Sequence, residues 1–473
     1  MRPIIKGIDM FLDFHGRALA PLLLFAGVFA AGCSNVHDST LANGMRVIVK
    51  EDHRSPVVVS QIWYKVGSMD EPQGLTGISH VLEHMMFKGT ERLKPNEFSR
   101  IIAEHGGREN AFTSYDYTAY YQQLEKSRLP ISFELEADRM QNLRIDDTEA
   151  RKEIQVVMEE RRLRTEDQPE ALVYEQLMSH AFQTHPYRHP VIGWMADLER
   201  ITPDDLRDWY RRWYAPNNAT LVVVGDVKPR EVVKLAEQYF GKIPRRDIER
   251  SRAPAESAQQ QERRTRVAAP AQVPYLLMGF HVPVHAPKKD ATAPAWEPYA
   301  LTVLTGVLDG GDSARFEREL IRSQKIAAGL VTEYNAIARD PMLMLFGGTP
   351  AGGRKIEELE QALRAQIERV RTEPVSAAEL QRVKAQVTAQ DVFARDSVFY
   401  QAMQLGRLAM SNLDLGLIDE SVKRINAVTA EQVMTVAKKY LSDNNLTVTV
   451  LDPLPLDKAK PSRAAVRGAG HVR

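Results

Sequence analysis

The stretch His80-Val81-Leu82-Glu83-His84 places two imidazoles and one carboxylate at fixed spacing. The apolar residues around it recur at helical spacing, and no helix breaker occurs before Gly89, so a helix is predicted. At about 100° per residue, His80, Glu83 and His84 share roughly a quarter of the surface of that helix. Two imidazoles one turn apart can bind one metal ion, and the carboxylate beside them can reach a water molecule on that ion.

This arrangement matches H-x-x-E-H, the inverted form of the zinc-peptidase motif. The motif is short, and two histidines and a glutamate also occur at these offsets by chance on solvated helix faces. A third metal ligand elsewhere in the chain distinguishes the two interpretations, because a catalytic zinc site uses three protein ligands and leaves the fourth position for water.

A second predicted helix, over residues 149–163, offers carboxylates for that third position. Its apolar residues fall on one face, and its glutamates fall on another. Glu153 and Glu160 are seven residues apart and therefore differ by only about 20° around the helix. From the residues alone, Glu153, Glu159 and Glu160 each remain a candidate ligand, and each also fits a solvated helix face.

Chain length and charge limit the other functions. A chain of 473 residues exceeds one ordinary hydrophobic core, so two or more domains are expected. Lys and Arg together number 62, as do Asp and Glu, and this balance gives no electrostatic footprint for nucleic acid. The 26% of charged residues and 44% of apolar residues are typical of a soluble globular protein.

The N-terminal residues 1–33 are predicted to be a signal peptide. Basic residues precede the apolar run 18–31, which is too short to span a bilayer. The run ends at Cys33, the only cysteine of the chain, in a pattern that resembles a bacterial lipoprotein processing site. The alternative is ordinary cleavage near Ala30 or Ala31. The expected location is the bacterial cell envelope on the periplasmic side, with a lipid anchor at Cys33 as the membrane contact.

After the signal peptide, the sequence predicts alternating strands and helices. Strands are predicted at residues 45–50 and 56–66, which are rich in β-branched and aromatic residues. Helices are predicted at 95–104 and 130–143, and the strongly strand-forming run 110–121 separates them.

Part of the first half recurs in the second. A shift of 227 residues without gaps places Thr202 on Thr429, Trp213 on Tyr440 and one asparagine pair on another, each followed by a β-rich strand. An internal duplication is the simplest explanation. In the second half, the stretch 301–308 stands at about the offset of the metal helix and contains neither His nor Glu. Only the first copy can therefore bind the metal.

The predicted organisation follows from this repeat and from a polar, charged segment between the two copies. It comprises the catalytic domain 34–244, the linker 245–271, the second domain 272–455 without a metal site and the disordered tail 456–473.

Three segments together resemble the pitrilysin, insulin-degrading-enzyme and mitochondrial-processing-peptidase family of zinc metallopeptidases: HVLEHMMFKGT, GGRENAFTSYDYTAYY and EIQVVMEERR. The resemblance implies that the third ligand is Glu160, 76 residues beyond His84, and that Glu153 supports the site without binding metal. It implies an α+β fold of two homologous domains, each a mainly antiparallel sheet packed by helices, which close as a clamshell.

The resemblance also implies the chemistry. One zinc ion per chain, held by His80, His84 and Glu160, would lower the pKa of its bound water to about 7 and polarise the scissile carbonyl. Glu83 would act as general base. The expected function is that of a zinc endopeptidase acting on peptides or unfolded segments. The alternative is a non-catalytic or partner-dependent assembly subunit, resembling the core proteins of the respiratory cytochrome complex.

Substrate contacts are expected on both halves. Family members add the substrate as a strand to a sheet edge, which would be the segment Asn110-Ala111-Phe112-Thr113, although an ordinary buried strand fits equally well. Arg322 matches an arginine of the family that holds substrate, but Gly329 stands where the family has a tyrosine, and Tyr334 lies too far along the chain. A homodimer or a heterodimer with a related subunit is therefore expected to supply the missing tyrosine.

Overall fold

The computed structural model describes residues 36–250, 252–287 and 290–456. The predicted signal peptide and its lipidation site Cys33 lie outside the described residues, as does nearly all of the predicted tail. We refer to residues 36–250 as the N-terminal half and to residues 252–456 as the C-terminal half. Each half contains one β-sheet.

The sheet of the N-terminal half has six strands in the order β1-β2-β6-β3-β5-β4. The strands are β1 Val36–Thr40, β2 Arg46–Glu51, β3 Val57–Tyr64, β4 Arg108–Thr113, β5 Thr118–Glu125 and β6 Ala219–Gly225. β2 and β6 pair in parallel, and the other neighbours are antiparallel. The central strands β3 and β6 are buried on both faces, as their runs of β-branched residues require. β4 lies at one edge.

The sheet of the C-terminal half repeats this pattern. Its order is β7-β11-β8-β10-β9, and only the β7–β11 pair is parallel. The strands are β7 Arg263–Pro270, β8 Tyr275–Val282, β9 Ala327–Glu333, β10 Met342–Pro350 and β11 Leu446–Leu454. Each of these strands has a counterpart at the same place in the first sheet, and β9 corresponds to the edge strand β4. The predicted duplication therefore agrees with the strand order.

Helices connect and cover the strands. In the N-terminal half they are α1 Ile78–Met85, α2 Glu97–Glu104, α3 Leu129–Asn142, α4 Asp147–Arg161, α5 Pro169–Ala181, α6 Met195–Leu198, α7 Pro203–Trp213 and α8 Pro229–Phe240. In the C-terminal half they are α9 Glu297–Asp309, α10 Ile356–Thr372, α11 Ala377–Ala394, α12 Val398–Met410, α13 Leu417–Ala427 and α14 Ala430–Tyr440. Among the described residues, no helix combines the length and the apolar character needed to cross a membrane.

Helices from both halves pack on each sheet. On one face of the first sheet, helices of the same half, including α1, α3, α4 and α7, enclose a large hydrophobic core. The opposite face is covered by α12 of the C-terminal half, whose residues pack on Trp63 and Val222. In exchange, Leu177 of α5 packs on the second sheet beside Leu277 and Leu345. This exchange of helices buries apolar surface between the halves and holds them together.

The repeated helix begins in the same way in both halves. Thr202 accepts a hydrogen bond from the backbone N–H of Asp205 at the start of α7, and Thr429 accepts one from Gln432 at the start of α14. In return, the side chains of Asp205 and Gln432 accept from the backbone N–H of the two threonines. Both are capping boxes, which satisfy two backbone donors at a helix N-terminus.

Two sequence predictions about elements are wrong in part. The run 110–121 is a hairpin and not one strand, because the chain reverses at 114–117, where the backbone N–H of Ser114 donates to the carbonyl oxygen of Tyr117. The predicted linker 245–271 contains β7, which pairs in parallel with β11. β7 is an edge strand with alternating exposure, so its sequence has the polar composition of a linker.

Candidate metal centre

The helix that carries the motif is held at its N-terminus by a carboxylate from the loop that precedes it. α1 begins after Gly77, whose positive φ of 90° favours glycine, and this residue offers no side chain as a cap. Instead, the buried Glu71 accepts backbone N–H groups from Gly77 at 2.7 Å and Ser79 at 2.8 Å. The hydroxyl of Ser79 also accepts a hydrogen bond from the indole of Trp209. These contacts fix the first turn of α1, and therefore the direction in which His80 points.

The structure brings together three side chains that the sequence predicts as metal ligands. One ligand atom each from His80, His84 and Glu160 lies within 4.8 Å of the other two. Oε2 of Glu160 is 3.9 Å from Nε2 of His80 and 3.4 Å from Nε2 of His84. The two imidazole rings are 4.9 Å apart at their centres and are inclined by 77°. No other group of three such side chains is found in the part of the chain that the structure describes.

This donor set fits a zinc ion. Zinc takes His nitrogen at about 2.0–2.1 Å and carboxylate oxygen at about 2.0–2.2 Å in a tetrahedral arrangement, which places ligand atoms roughly 3.4 Å apart. The two separations of 3.4 and 3.9 Å between Glu160 and the histidines are close to that value. The three side chains are nearly buried, with 14–15% of each exposed. Two neutral imidazoles and one carboxylate are also a common ligand set of catalytic zinc.

Glu153 and Glu160 contact the same histidine from opposite sides. Oε2 of Glu153 is 3.3 Å from Nδ1 of His84, whereas Glu160 faces Nε2 of that ring. The other oxygen of Glu153 is 2.5 Å from the ammonium of Lys88, and the other oxygen of Glu160 is 2.6 Å from the guanidinium of Arg164. Glu153 thus contacts a predicted ligand without joining the cluster, and its supporting role stays a prediction.

Burial and charge shift the pKa values of these groups in opposite directions. Burial, assisted by the neighbouring His84, lowers the pKa of His80 to about 4. For His84, contacts with Glu153 and Glu160 outweigh the effect of burial and raise the pKa to about 9. Burial alone would raise the pKa of Glu160, but His84, His80 and Arg164 hold it at about 2. Glu160 is therefore ionised at neutral pH, as a ligand to a cation must be.

Glu83 lies beside the cluster and faces the edge strand of the sheet. Burial raises the pKa of its carboxyl group above the ordinary value, and a hydrogen bond from Thr113 opposes this shift. The hydroxyl of Thr113, the last residue of β4, donates to Oε2 of Glu83 at 2.6 Å. A buried carboxylate with a raised pKa, next to two imidazoles, is suited to accept and release a proton.

The predicted substrate segment Asn110-Ala111-Phe112 lies on β4, which is the edge strand of the first sheet. β4 pairs with β5 along one side only among the described strands. The ring of Phe112 packs edge-on against Trp63, and Oδ1 of Asn110 accepts a hydrogen bond from the backbone N–H of Ala111. The location of this segment matches the prediction, and its contact with substrate stays a prediction.

The second-half residues are placed elsewhere. Arg322 lies on the π-helix Phe316–Ser323, where its exposed guanidinium pairs with Glu317 and Asp312. Gly329 lies on β9, and the hydroxyl of Tyr334 donates to the carbonyl oxygen of Pro283. The structure therefore does not join Arg322 to the metal cluster, and its role in binding substrate stays a prediction.

The contacts of four residues with the site were not predicted from the sequence: those of Glu71, Lys88 and Arg164, and that of Thr113 with Glu83. Arg164 and Lys88 each stand four residues after a metal ligand, a spacing that is one helical turn and could have indicated them. Glu71 and Thr113 have no such signal. Their contacts depend on where a loop and an edge strand lie relative to α1, which periodicity does not report.

Comparison with protein families gives two matches, one after the other along the chain. The model described as Insulinase (Peptidase family M16) matches residues 46–193, which contain His80, Glu83, His84 and Glu160. The model described as Peptidase M16 inactive domain matches residues 200–387, which contain none of them.

Individual relatives cover nearly the whole chain. The zinc protease PqqE of Helicobacter pylori is 31% identical over 424 residues, which are 88% of this chain and 93% of that protein. YmxG of Bacillus subtilis, which is described as an uncharacterized zinc protease, is 26% identical over 408 residues, which are 86% of this chain and 95% of that protein. A crystal structure of a protease from Helicobacter pylori superposes with a TM-score of 0.84 at 29% identity and covers 89% of this chain and 100% of that one. This likeness confirms the predicted fold class of two mixed α+β domains.

Proposed function

Since this chain belongs to peptidase family M16, whose members among its relatives are named zinc proteases, we propose that it is a zinc-dependent endopeptidase. Its substrates are peptides or unfolded segments of polypeptide. The observation that carries the proposal is the convergence of His80, His84 and Glu160 on one point, with the carboxylate of Glu83 beside them.

In the proposed site, His80, His84 and Glu160 hold one zinc ion per chain. When bound, zinc activates a water molecule as nucleophile and polarises the scissile carbonyl group. The ionised Glu160 supplies the one negative charge of the ligand set, and the two imidazoles bind through Nε2. Glu153 accepts the N–H of His84 at Nδ1 and so keeps Nε2 free as a donor to the ion.

The proposed role of Glu83 is proton transfer. Its carboxylate accepts a proton from the attacking water and delivers that proton to the nitrogen of the departing amine. The burial of Glu83 supports this role, because a carboxyl group with a raised pKa can both take and release a proton near neutral pH. No covalent bond between the chain and the substrate is required.

The proposed substrate position is the free edge of β4. A peptide that pairs with Asn110-Ala111-Phe112-Thr113 as an added strand would lie next to Glu83, because Thr113 already contacts that carboxylate. Pairing through backbone hydrogen bonds selects extended segments more than particular side chains. This is why we propose unfolded polypeptide as the substrate class.

We propose that a second chain completes the site. Position 329 is a glycine and offers no hydroxyl, and the guanidinium of Arg322 pairs with Glu317 and Asp312 of its own half. A heterodimer with a related subunit would supply that hydroxyl, whereas a homodimer would supply only the Arg322 of the second copy, because its position 329 is also glycine. We propose the periplasmic side of the bacterial envelope as the location, with lipidation of Cys33 as the anchor.

The alternative function is a non-catalytic assembly subunit. The model that matches residues 200–387 is described as an inactive domain, which fits that alternative. The N-terminal half fits it less well, because a scaffold does not require two imidazoles, a buried general base and a third ligand at one point. The alternative predicts no hydrolysis under any condition.

The experiment is a fluorogenic-peptide assay on the full chain, alone and with a related subunit, before and after removal of zinc by a chelator. The proposal predicts hydrolysis that disappears on chelation and returns with added zinc. Glu83→Gln should abolish turnover, while Glu159→Gln is the matched control, since Glu159 pairs with Arg162 and is not one of the three clustered side chains. Hydrolysis that is unaffected by the chelator or by Glu83→Gln would refute the mechanism.

A further inference from the structure

Lys88 is a buried lysine that ends next to the metal centre. It follows α1 by three residues, and its backbone N–H donates to the carbonyl oxygen of Met85, so the chain turns back on the helix at this point. Only 9% of its side chain is exposed, and its ammonium is 2.5 Å from Oε1 of Glu153. Lysine is rarely buried without a partner because taking its charge out of water is costly. The pair with Glu153 meets that requirement.

The two oxygens of Glu153 contact two different partners, Lys88 and His84. Oε1 faces Lys88, and Oε2 is 3.3 Å from Nδ1 of His84. The carboxylate is only 6% exposed, so water has little access to replace either partner. The ammonium of Lys88 holds one oxygen of Glu153. Rotation of this carboxylate away from His84 would therefore break the buried, charged hydrogen bond between Lys88 and Glu153. The orientation of Glu153 is therefore fixed from the side opposite the metal.

The orientation of Glu153 determines which nitrogen of His84 can bind a cation. A carboxylate facing Nδ1 holds the proton there and leaves the lone pair on Nε2, which faces Glu160 at 3.4 Å. His80 has no comparable support. Its Nδ1 is buried and makes no hydrogen bond within the described residues. Of the two histidines, His84 is thus the one whose ring is held by a chain of contacts.

We propose that Lys88 is a positioning residue of the metal centre, which fixes Glu153 and, through it, the His84 ring in the orientation that binds the cation. It touches neither the cation nor the substrate. This inference rests on the proposed zinc site. The competing interpretation is that Lys88 only balances a buried charge, in which case its loss would affect stability and leave cation binding unchanged.

The experiment compares Lys88→Met with Lys88→Arg and with a matched control in the metal-free half. The control is Lys439→Met, because the ammonium of Lys439 also pairs with a buried glutamate, Glu297, at 2.8 Å. Zinc affinity of the full chain is measured by competition with a chromophoric chelator. The visible absorption of the cobalt-substituted protein reports ligand geometry, and the melting temperature of the metal-free protein reports stability.

Lys88→Met is expected to weaken zinc binding by about 10–100-fold and to change the cobalt spectrum. Lys88→Arg keeps a cationic donor. Its zinc affinity should therefore lie within about threefold of that of the original chain, and its cobalt spectrum should match that of the original chain. Lys439→Met should lower the melting temperature without changing either metal readout. If Lys88→Met does not fold, Lys88→Gln replaces it in the same measurements.

Wild-type affinity and spectrum in a folded Lys88→Met or Lys88→Gln protein would overturn the inference, as would an equal loss of affinity in Lys439→Met. These readouts need no peptide substrate. A chain that binds zinc and cleaves nothing would therefore contradict the proposed function while leaving the role of Lys88 intact. A wild-type chain that fails to bind zinc would contradict both.

Discussion

The hydroxyl of Thr113 donates a 2.6 Å hydrogen bond to the carboxylate of Glu83, which joins the last residue of the edge strand β4 to the metal helix α1. Thr113→Val keeps the shape of the side chain and removes this bond. Hydrogen bonds to charged groups contribute about 1.5 kcal/mol or more, so we expect kcat/KM for peptide hydrolysis to fall roughly tenfold. The bond favours the ionised form of Glu83, and its loss should therefore also move the acid limb of the pH profile to higher pH.

Thr113→Ser is the control for this prediction, because serine retains the hydroxyl. Its activity should stay within about threefold of the original chain. Zinc affinity should be unchanged in both variants, since Thr113 contacts Glu83, the proposed general base, which is not one of the three proposed ligands. A Thr113→Val protein with an unaltered pH profile would show that the bond does not act on Glu83.

The extent to which the site could be predicted from sequence depends on the separation of its parts. His80, Glu83 and His84 lie within one turn of helix, and helical periodicity alone placed them together. Glu160 is far along the chain, and periodicity could not choose it over Glu153 or Glu159. The resemblance to a family made that choice, and the structure brings Glu160 to the two imidazoles.

The fold, too, could be predicted where the signal is local and not where it depends on distant parts of the chain. Periodicity and β-propensity predicted the helices and strands around the metal motif, and the shift of 227 residues aligned Thr202 with Thr429, which begin corresponding helices. The edge strand β7 was missed because only one row of its side chains is partly covered, so its composition is that of a loop. The exchange of α5 and α12 between the sheets also has no local signal, because either helix could cover an apolar face in its own half.

A polar contact between the halves should contribute strongly to stability. Arg339, in the loop between β9 and β10, pairs with Asp70 at 2.8 Å, and its backbone N–H donates to Asp116. Asp116 is buried, and the side chain of Asp70 is only 8% exposed. Arg339→Gln removes the nearer of the two cations that Asp70 faces, the other being Arg250 at 3.4 Å, and we expect unfolding in urea to become easier by about 2 kcal/mol.

The control for Arg339→Gln is Arg354→Gln. Arg354 forms an exposed ion pair with Glu358 one turn away on the surface. Exposed pairs of this kind contribute less than about 1 kcal/mol, so this variant should unfold almost as the original chain does. Equal effects of the two substitutions would show that the contact between the halves is no stronger than a surface pair.

The ion pair of Arg315 and Glu379 makes stability depend on pH in the acid range. The guanidinium of Arg315, 4% exposed, binds both oxygens of Glu379 at 2.7 and 3.0 Å. This contact lowers the pKa of Glu379 from the ordinary 4.5 to about 2 in the folded chain. The stabilisation is therefore complete above about pH 4.5, and it is lost as the pH falls towards 2.

Glu379→Gln tests this pH dependence. At pH 7 the variant should be less stable by about 3 kcal/mol, because it leaves the charge of Arg315 buried without a counterion. The difference in unfolding free energy between the two proteins should shrink as the pH falls from about 4.5 towards 2. In this range the carboxylate of Glu379 is protonated in the unfolded chain but still ionised in the folded chain. Glu373→Gln, at an exposed position on the surface, should show neither effect. A difference that stays constant from pH 7 to about pH 3 would contradict the assigned shift.

The packing of α12 on the first sheet can be tested at one glycine. Gly406 lies on α12 directly against the indole ring of Trp63 on β3, and a Cβ atom there would overlap that ring. Gly406→Ala should therefore destabilise the chain by about 3 kcal/mol in urea unfolding, since neither the helix nor the buried ring has room to move. Gly352→Ala, at a position with open space, should change stability by less than about 0.5 kcal/mol.

Trp63 belongs to the core on the face of the sheet opposite α1, so the folded Gly406→Ala protein should keep its zinc affinity. Loss of that affinity would show that the two faces of the sheet are coupled.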